Sequence, residues 1–174
     1  MNATHYAGII YDDIANGTGI GATLFLQGCP HHCPGCHNPN TWDFDGGKKI
    51  TTETVSELMY YFQKNPFATR LSISGGEPLT TINENHISMY KISGVFKNRL
   101  PNHKIWLWTG YRFEDLTDEQ KYCLQRVDVL VDGPFIESQK DLTLAFRGSK
   151  NQRILDCQAS LKANKPILHK EFNK

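Results

Sequence analysis

Four short apolar runs alternate with segments of helical period along this chain, and this alternation constrains the fold more than any other feature. The runs cover residues 22–27, 70–74, 104–108 and 127–131. Runs of this length, rich in apolar, β-branched and aromatic residues, are typical of buried strands. Strands that alternate with helices predict βα units and a parallel sheet, so the expected fold class is α/β.

Helical segments fill the gaps between these runs. One apolar stripe, at the spacing of a helix face, predicts a helix over residues 52–64. A second helix is expected over 84–97, although Gly94 weakens it. Thr117 and Gln120 form a capping box that begins a third helix, which continues to about residue 126. An edge strand is predicted at 7–11, and the polar sequence from about residue 160 favours a frayed or disordered end.

With 174 residues, the chain has the length of one domain with one core. Its 19 basic and 18 acidic side chains nearly balance, unlike the basic surplus of a nucleic-acid-binding protein. No apolar run approaches the ~18 residues of a membrane helix, and residues 1–10 lack the pattern of a secretory signal. We therefore expect a cytoplasmic protein that binds neither nucleic acid nor membrane.

Each predicted core strand is followed at once by a segment of unusual composition. GCPHHCPGC follows the first strand, GGEP the second, TGY the third and DGPF the fourth. In parallel α/β folds the carboxyl ends of the strands meet at one edge, and ligands bind there. The chemistry of this protein is therefore expected on a single face of the molecule.

Three of the five cysteines form a C-x3-C-x2-C pattern at Cys29, Cys33 and Cys36. An odd, clustered set fits a disulfide framework poorly and a metal site in a reducing compartment well. Three sulfur ligands suit an iron–sulfur cluster, in which one iron stays open to another ligand. They also suit zinc, with a fourth ligand from one of three histidines, His31, His32 or His37. Unliganded thiols are the third alternative that the spacing leaves open.

Two glycines and a glutamate stand directly after the second strand, at Gly75, Gly76 and Glu77. Because the glycines have no Cβ atom, a ligand can approach the strand end closely, and Glu77 offers an acceptor for an ammonium group. Together the three residues are suited to hold the amino-acid end of a small molecule. The alternative is an ordinary Gly-Pro turn that binds nothing.

The cysteine pattern and the GGE segment together resemble the radical S-adenosylmethionine (SAM) superfamily. The resemblance implies that the three cysteines bind a [4Fe-4S] cluster whose fourth iron chelates SAM, and it leaves a zinc module as a remote alternative. Four or five βα units are too few to close eight strands, so we expect an incomplete α/β barrel or an open parallel sheet. The resemblance implies the first of these, an incomplete TIM-like βα barrel in a single domain over residues 1–174. The implied cofactor contacts are Gly35, Cys36, His37, Gly75, Gly76, Glu77, Thr109 and Asp132.

Five segments narrow this resemblance: NGTG at 16–19, GCPHHCPGCHNPNTW at 28–42, WTGY at 108–111, VDGPF at 131–135 and RGSKNQR at 147–153. In this order they are similar to the activating proteins of anaerobic (class III) ribonucleoside-triphosphate reductase. That family usually has a proline and an arginine where Thr18 and Gly21 stand here. A contact made by that arginine is therefore in doubt for this chain.

The resemblance also implies a reaction. SAM is cleaved reductively to a 5′-deoxyadenosyl radical, which takes a hydrogen from a glycine Cα of the reductase and leaves a glycyl radical. The implied partners are the large subunit of the reductase and an electron donor such as flavodoxin. No catalytic residue beyond the cluster and SAM is implied, because the cofactors carry the chemistry. An activase of another glycyl-radical enzyme is the nearest alternative.

Overall fold

Seven strands form one open sheet in the structure, a computed structural model that describes residues 4–172. The strands are β1 (His5–Asp13), β2 (Ile20–Leu26), β3 (Lys48–Lys49), β4 (Ala68–Gly75), β5 (Lys104–Trp108), β6 (Val129–Asp132) and β7 (Arg153–Asp156). Their order across the sheet is β3-β1-β2-β4-β5-β6-β7. The prediction of an α/β fold is confirmed, and the sheet does not close on itself.

The four parallel strands are the four core strands that the sequence predicts. β2, β4, β5 and β6 are parallel neighbours, while β1 and β7 pair antiparallel on either side of them. The edge strand predicted at 7–11 is the longer β1. It lies inside the sheet rather than at its edge, because the two-residue β3 pairs with its outer side.

Four α-helices accompany the sheet within residues 4–172. They are α1 (Thr52–Lys64), α2 (Asn85–Arg99), α3 (Asp118–Cys123) and α4 (Cys157–Ala163). Capping boxes begin α1 at Thr51 and α3 at Thr117, where each threonine side chain accepts a hydrogen bond from the backbone of the first helical turn. Gly94 does not interrupt α2. None of the helices in this part of the chain is long and apolar enough to cross a membrane.

The two faces of the sheet are covered differently because side chains alternate along each strand. Ile105 and Leu107 enter the main core, to which all four helices contribute. Trp106 belongs to a second apolar cluster on the opposite face, where it packs against Phe146 and Phe172. Loops rather than helices therefore cover this second face, which we call the helix-free face.

The C-terminal part contains β7 and α4, which the sequence did not predict. Beyond α4 the chain returns to β7, where Asp156 N donates to Ile167 O at 2.9 Å and His169 N donates to Ile154 O at 2.8 Å. This segment includes the polar sequence from about residue 160, which favours a frayed or disordered end of the chain. Its hydrogen bonds are made to an antiparallel edge strand, a long-range contact that a local pattern does not report.

A buried arginine secures the connection between β1 and β2 on the helix-free face. Arg70 of β4 is fully buried, and its guanidinium donates to the carbonyl oxygens of Asp13 and Asn16. It also lies 3.4 Å from the buried carboxylate of Asp13. Burial lowers the pKa of Arg70, and the carboxylate of Asp13 opposes this change by stabilising the cation.

Replacing Arg70 with methionine is expected to lower the free energy of unfolding by about 3–5 kcal/mol, because the Asp13 carboxylate stays buried without its cation. Lys104→Met is the matched control, since Lys104 pairs in register with Arg70 but is mostly exposed. It should cost about 1 kcal/mol or less. Urea unfolding of the apoprotein measures both variants, and equal losses would contradict the role given to Arg70.

Candidate functional site

Loops from the ends of all four parallel strands enclose one cavity of about 560 Å³. Most of the predicted site residues line it, namely Cys29, Cys33, Cys36, His37, Gly75, Gly76, Glu77 and Thr109. They meet here because the four strands are parallel neighbours, so their carboxyl ends share one edge of the sheet. Trp108 and Phe146 also line the cavity, which places it over the helix-free face.

The cysteine segment closes into a loop through its own backbone. At its base, Gly28 N donates to Thr41 O at 2.8 Å. Near its tip, Cys36 Sγ accepts a hydrogen bond from Asn38 N at 3.4 Å. Thr41 N donates to Asn38 O at 3.0 Å, so the CPGCHN and TW parts of the motif are neighbours in space. All three cysteines of the loop line the cavity.

Burial makes two of these thiols weaker acids. It raises the pKa of Cys29 to about 11 and also raises the pKa of Cys33. Iron and zinc bind the thiolate form, so metal binding must release these protons. Three soft sulfur donors on one cavity wall fit an iron–sulfur cluster, which takes its cysteine ligands on separate irons.

The surroundings of the cysteines differ from those of a single metal ion. Within residues 4–172, no three His, Cys, Asp or Glu side chains gather around one ion position. Two of the histidines suited to zinc instead contact aromatic rings, His32 on Trp42 at 4.8 Å and His37 on Phe135 at 5.2 Å between centroids. These two imidazoles therefore pack on aromatic rings.

The carboxylate of Glu77 joins three loops at the cavity. It is 1% exposed and accepts four hydrogen bonds, all 2.7–2.9 Å long. Oε1 accepts from Leu79 N and Thr109 Oγ1, while Oε2 accepts from Gly110 N and His31 Nε2. A carboxylate has about four acceptor positions, and protein donors fill them here. A contact between Glu77 and an ammonium group stays a prediction, and it requires the exchange of one of these donors.

Gly75 and Gly76 bring the second loop close to the end of β2. A Cβ atom on Gly75 would lie 2.7 Å from Leu26 O, and one on Gly76 would lie 2.5 Å from Gly28 O. Gly75 also has a φ of +97°, which favours glycine. The glycines therefore allow the approach of two backbones as well as lining the cavity.

Two residues predicted to contact the cofactor, Gly35 and Asp132, lie against other protein groups. A Cβ on Gly35 would lie 2.8 Å from the carboxyl carbon of Glu137. Asp132 is fully buried at the end of β6, where it accepts hydrogen bonds from Phe113 N at 2.8 Å and from Arg153 Nε at 2.9 Å. Asp132 thus forms a buried ion pair, and its contact with a cofactor stays a prediction.

The guanidinium of Arg153 binds a second carboxylate, that of Glu114, with N–O distances of 3.0 and 2.6 Å. These hydrogen bonds lower the pKa of Glu114 to about 2, and Asp132 and Glu114 together raise the pKa of Arg153. Arg153 therefore links β7 to the end of β6 and to the loop after β5.

The NGTG segment contacts the cavity through Asn16. The arginine of the family pattern is absent at Gly21, but Gly21 pairs in register with Arg70 on β4. The guanidinium of Arg70 reaches the segment from this neighbouring strand and donates to Asn16 O. A guanidinium is therefore present beside the segment, supplied from a strand that is distant in sequence and paired with the carboxylate of Asp13.

The RGSKNQR segment completes the wall of the cavity beside VDGPF. Gln152 accepts a hydrogen bond from Gly148 N at 2.9 Å and donates to Gly133 O at 3.1 Å. Asn151 donates to Pro134 O at 2.7 Å. The sequence shows both motifs but not this contact, because the two segments are joined only by the packing of the loops.

A closed loop of three cysteines at the edge of an open α/β sheet defines a class of iron–sulfur protein. The chain matches the family described as a 4Fe-4S single cluster domain over residues 15–155. The match covers all three cysteines and the ends of all four parallel strands. It supports the interpretation that this part of the chain binds an iron–sulfur cluster rather than zinc.

Relatives with the same name cover most of the chain. The anaerobic ribonucleoside-triphosphate reductase-activating protein of Vibrio cholerae is 40% identical over 82% of this chain and 91% of its own length. The proteins of that name from Enterobacteria phage T4 and Escherichia coli are 40% and 36% identical, over 82% and 80% of this chain and 87% and 90% of their own lengths. The chain belongs to the family of anaerobic ribonucleoside-triphosphate reductase-activating proteins.

Alanine at Cys29, Cys33 or Cys36 is expected to reduce iron and sulfide content after anaerobic reconstitution by about tenfold or more, because the cluster loses a thiolate ligand. Cys123→Ala is the matched control, since Cys123 lies in the main core. It should retain its cluster. Iron, sulfide and zinc analysis measures the outcome, and one zinc per chain without a brown chromophore would overturn the cluster assignment.

Glu114→Gln tests the ion pair with Arg153. The pKa of Glu114 falls from an ordinary 4.5 to about 2 on folding, so its stabilisation is present above about pH 4.5 and is lost toward pH 2. Because Glu114 is 42% exposed, we expect the variant to be only about 1 kcal/mol less stable at neutral pH. Urea unfolding between about pH 7 and 2.5 should show this difference shrink to a minor part of its value at neutral pH, and a constant difference would exclude the ion pair as its cause.

Proposed function

We propose that this protein activates anaerobic ribonucleoside-triphosphate reductase by radical SAM chemistry. The observation that carries the proposal is the meeting of three cysteines with the GGE segment in one cavity at the ends of four parallel strands. The names of the relatives support the activation of that reductase. The proposal includes a single domain over residues 1–174 and a partial βα barrel of the radical SAM type, with which the open sheet is consistent.

Cys29, Cys33 and Cys36 hold the [4Fe-4S] cluster in this proposal and leave one iron for SAM. When bound, the cluster and SAM supply a 5′-deoxyadenosyl radical by one-electron cleavage of a C–S bond, with methionine as the second product, for hydrogen abstraction from a glycine Cα of the reductase. The residues of the chain bind and orient these groups and keep water away from them.

The remaining residues of the cavity divide into two groups. Gly75, Gly76 and Thr109 line the methionine end of SAM, while Gly35 and His37 border the cofactor beside the third cysteine. Glu77 and Asp132 support the site through their hydrogen bonds to neighbouring loops and contact the cofactor only if one of those bonds is exchanged. Burial of both carboxylates, with protein donors at each, supports this positioning role.

The proposed substrate is a protein, the large subunit of the reductase. The names of the relatives support a protein partner, because each is called an activating protein of that reductase. Reduction of the cluster requires a separate electron donor such as flavodoxin. A cytoplasmic location follows from such a partner and from a cluster that needs reduced thiols.

The reconstituted, reduced protein is expected to convert SAM to methionine and 5′-deoxyadenosine under anaerobic conditions. With the large subunit present, a glycyl-radical signal should appear in the EPR spectrum. Cys33→Ala should lower both yields by about a hundredfold or more, because without the cluster no electron reaches SAM. Cys123→Ala serves again as the control that keeps both activities.

The outcomes separate the parts of the proposal. An iron-loaded protein that does not cleave SAM would exclude radical SAM chemistry. Cleavage of SAM without a radical on the reductase, but with a radical on another glycyl-radical enzyme, would keep the chemistry and exclude the partner.

A further inference from the structure

His31 connects the cysteine loop to the rest of the cavity. It stands between Cys29 and Cys33 in the sequence, and its Nε2 donates to Oε2 of Glu77 at 2.8 Å. Its ring packs edge-on against Tyr111, with centroids 4.5 Å apart. These contacts hold the imidazole against two loops that follow other strands.

The TGY loop is shaped to receive this imidazole. A Cβ atom on Gly110 would overlap the His31 ring, so a residue without a side chain is needed at that position. The amide of Gly110 donates to the same Oε2 of Glu77, at 2.8 Å. One carboxylate oxygen therefore joins the cysteine loop to the TGY loop.

The other oxygen of Glu77 is already used elsewhere. Oε1 accepts from Thr109 Oγ1 at 2.7 Å and from Leu79 N at 2.9 Å. Among the described side chains of the cysteine loop, His31 is the one that donates to this carboxylate. Loss of its imidazole removes the link between the cysteine loop and the Glu77 carboxylate, and leaves at the base of the loop the backbone bond from Glu77 N to Gly28 O.

We propose that His31 is a positioning residue that fixes the cysteine loop against the GGE and TGY loops and so sets the shape of the SAM site. The inference rests on the proposed function for its effect on SAM, but the link between the loops is a property of the apoprotein. His31 does not bind iron in this proposal. It acts through Glu77 and Gly110.

Three variants test the proposal. His31→Asn is too short to reach Glu77, whereas His31→Gln places an amide donor near the position of Nε2. His32→Asn is the matched control, since the exposed His32 packs on Trp42 and its φ of +46° is one that asparagine tolerates.

In the apoprotein, hydrogen exchange in segment 108–112 should be roughly tenfold faster for His31→Asn, because the loop that carries the Gly110 amide loosens. His31→Gln and His32→Asn should exchange as the wild type does. This measurement needs neither the cluster nor SAM.

In the reconstituted protein, His31→Asn should keep its iron and sulfide content. Its KM for SAM should rise roughly tenfold or more with kcat within about threefold, and SAM should perturb the EPR spectrum of the reduced cluster less than in the wild type. His31→Gln should restore the KM to within about threefold.

Wild-type exchange and wild-type KM in His31→Asn would overturn the proposal, as would failure of His31→Gln to restore either one. Loss of the cluster in His31→Asn would also overturn it, since His31 would then act as an iron ligand or as a folding residue. If the wild-type protein itself does not cleave SAM, the proposed function fails, while the exchange experiment still decides whether His31 links the loops.

Discussion

A carboxylate that is almost fully withdrawn from water needs donors at both oxygens, and at Glu77 those donors come from three different loops. The ends of β2, β4 and β5 are thereby brought to one point. The cysteine loop, which has little regular structure of its own, takes its place in the cavity from this contact and from the closure of its base. The site therefore depends on a polar interaction that is satisfied only when the whole sheet edge is assembled.

The order of the strands in the sheet brings these loops together. Four parallel neighbours place four loops along one edge, and the alternation of side chains gives the helices one face and the loops the other. The cavity occupies the helix-free face, where Trp106 and Trp108 support its floor. The antiparallel strand β7 begins at that edge, where Arg153 pairs with Asp132, and the segment before it supplies Gln152 to the cavity wall. The connection after β1 supplies Asn16.

Buried ion pairs hold the outer walls in a similar way. Arg70 anchors the β1–β2 connection to β4, and Arg153 anchors β7 to the end of β6. In each case a guanidinium with several donors satisfies a buried carboxylate together with other acceptors nearby. Arg70 reaches the NGTG segment because the register of β2 and β4 sets Gly21 opposite that residue.

The sequence by itself determined the four core strands, the helix α1, the capping box of α3 and the clustered pattern of three cysteines, because local spacing and apolar period carry these features. It also indicated the family, since the motifs are contiguous and ordered. Only the tertiary structure decided that β7 and α4 exist, that Glu77 and Asp132 bind protein donors, and that His31 faces Glu77 rather than a metal ion. Those outcomes depend on contacts between residues far apart in the sequence, such as His31 with Glu77 across 46 residues and Asp132 with Arg153 across 21. A local pattern shows which residues have hydrogen-bond donors and acceptors, but strand order and register determine which of them meet.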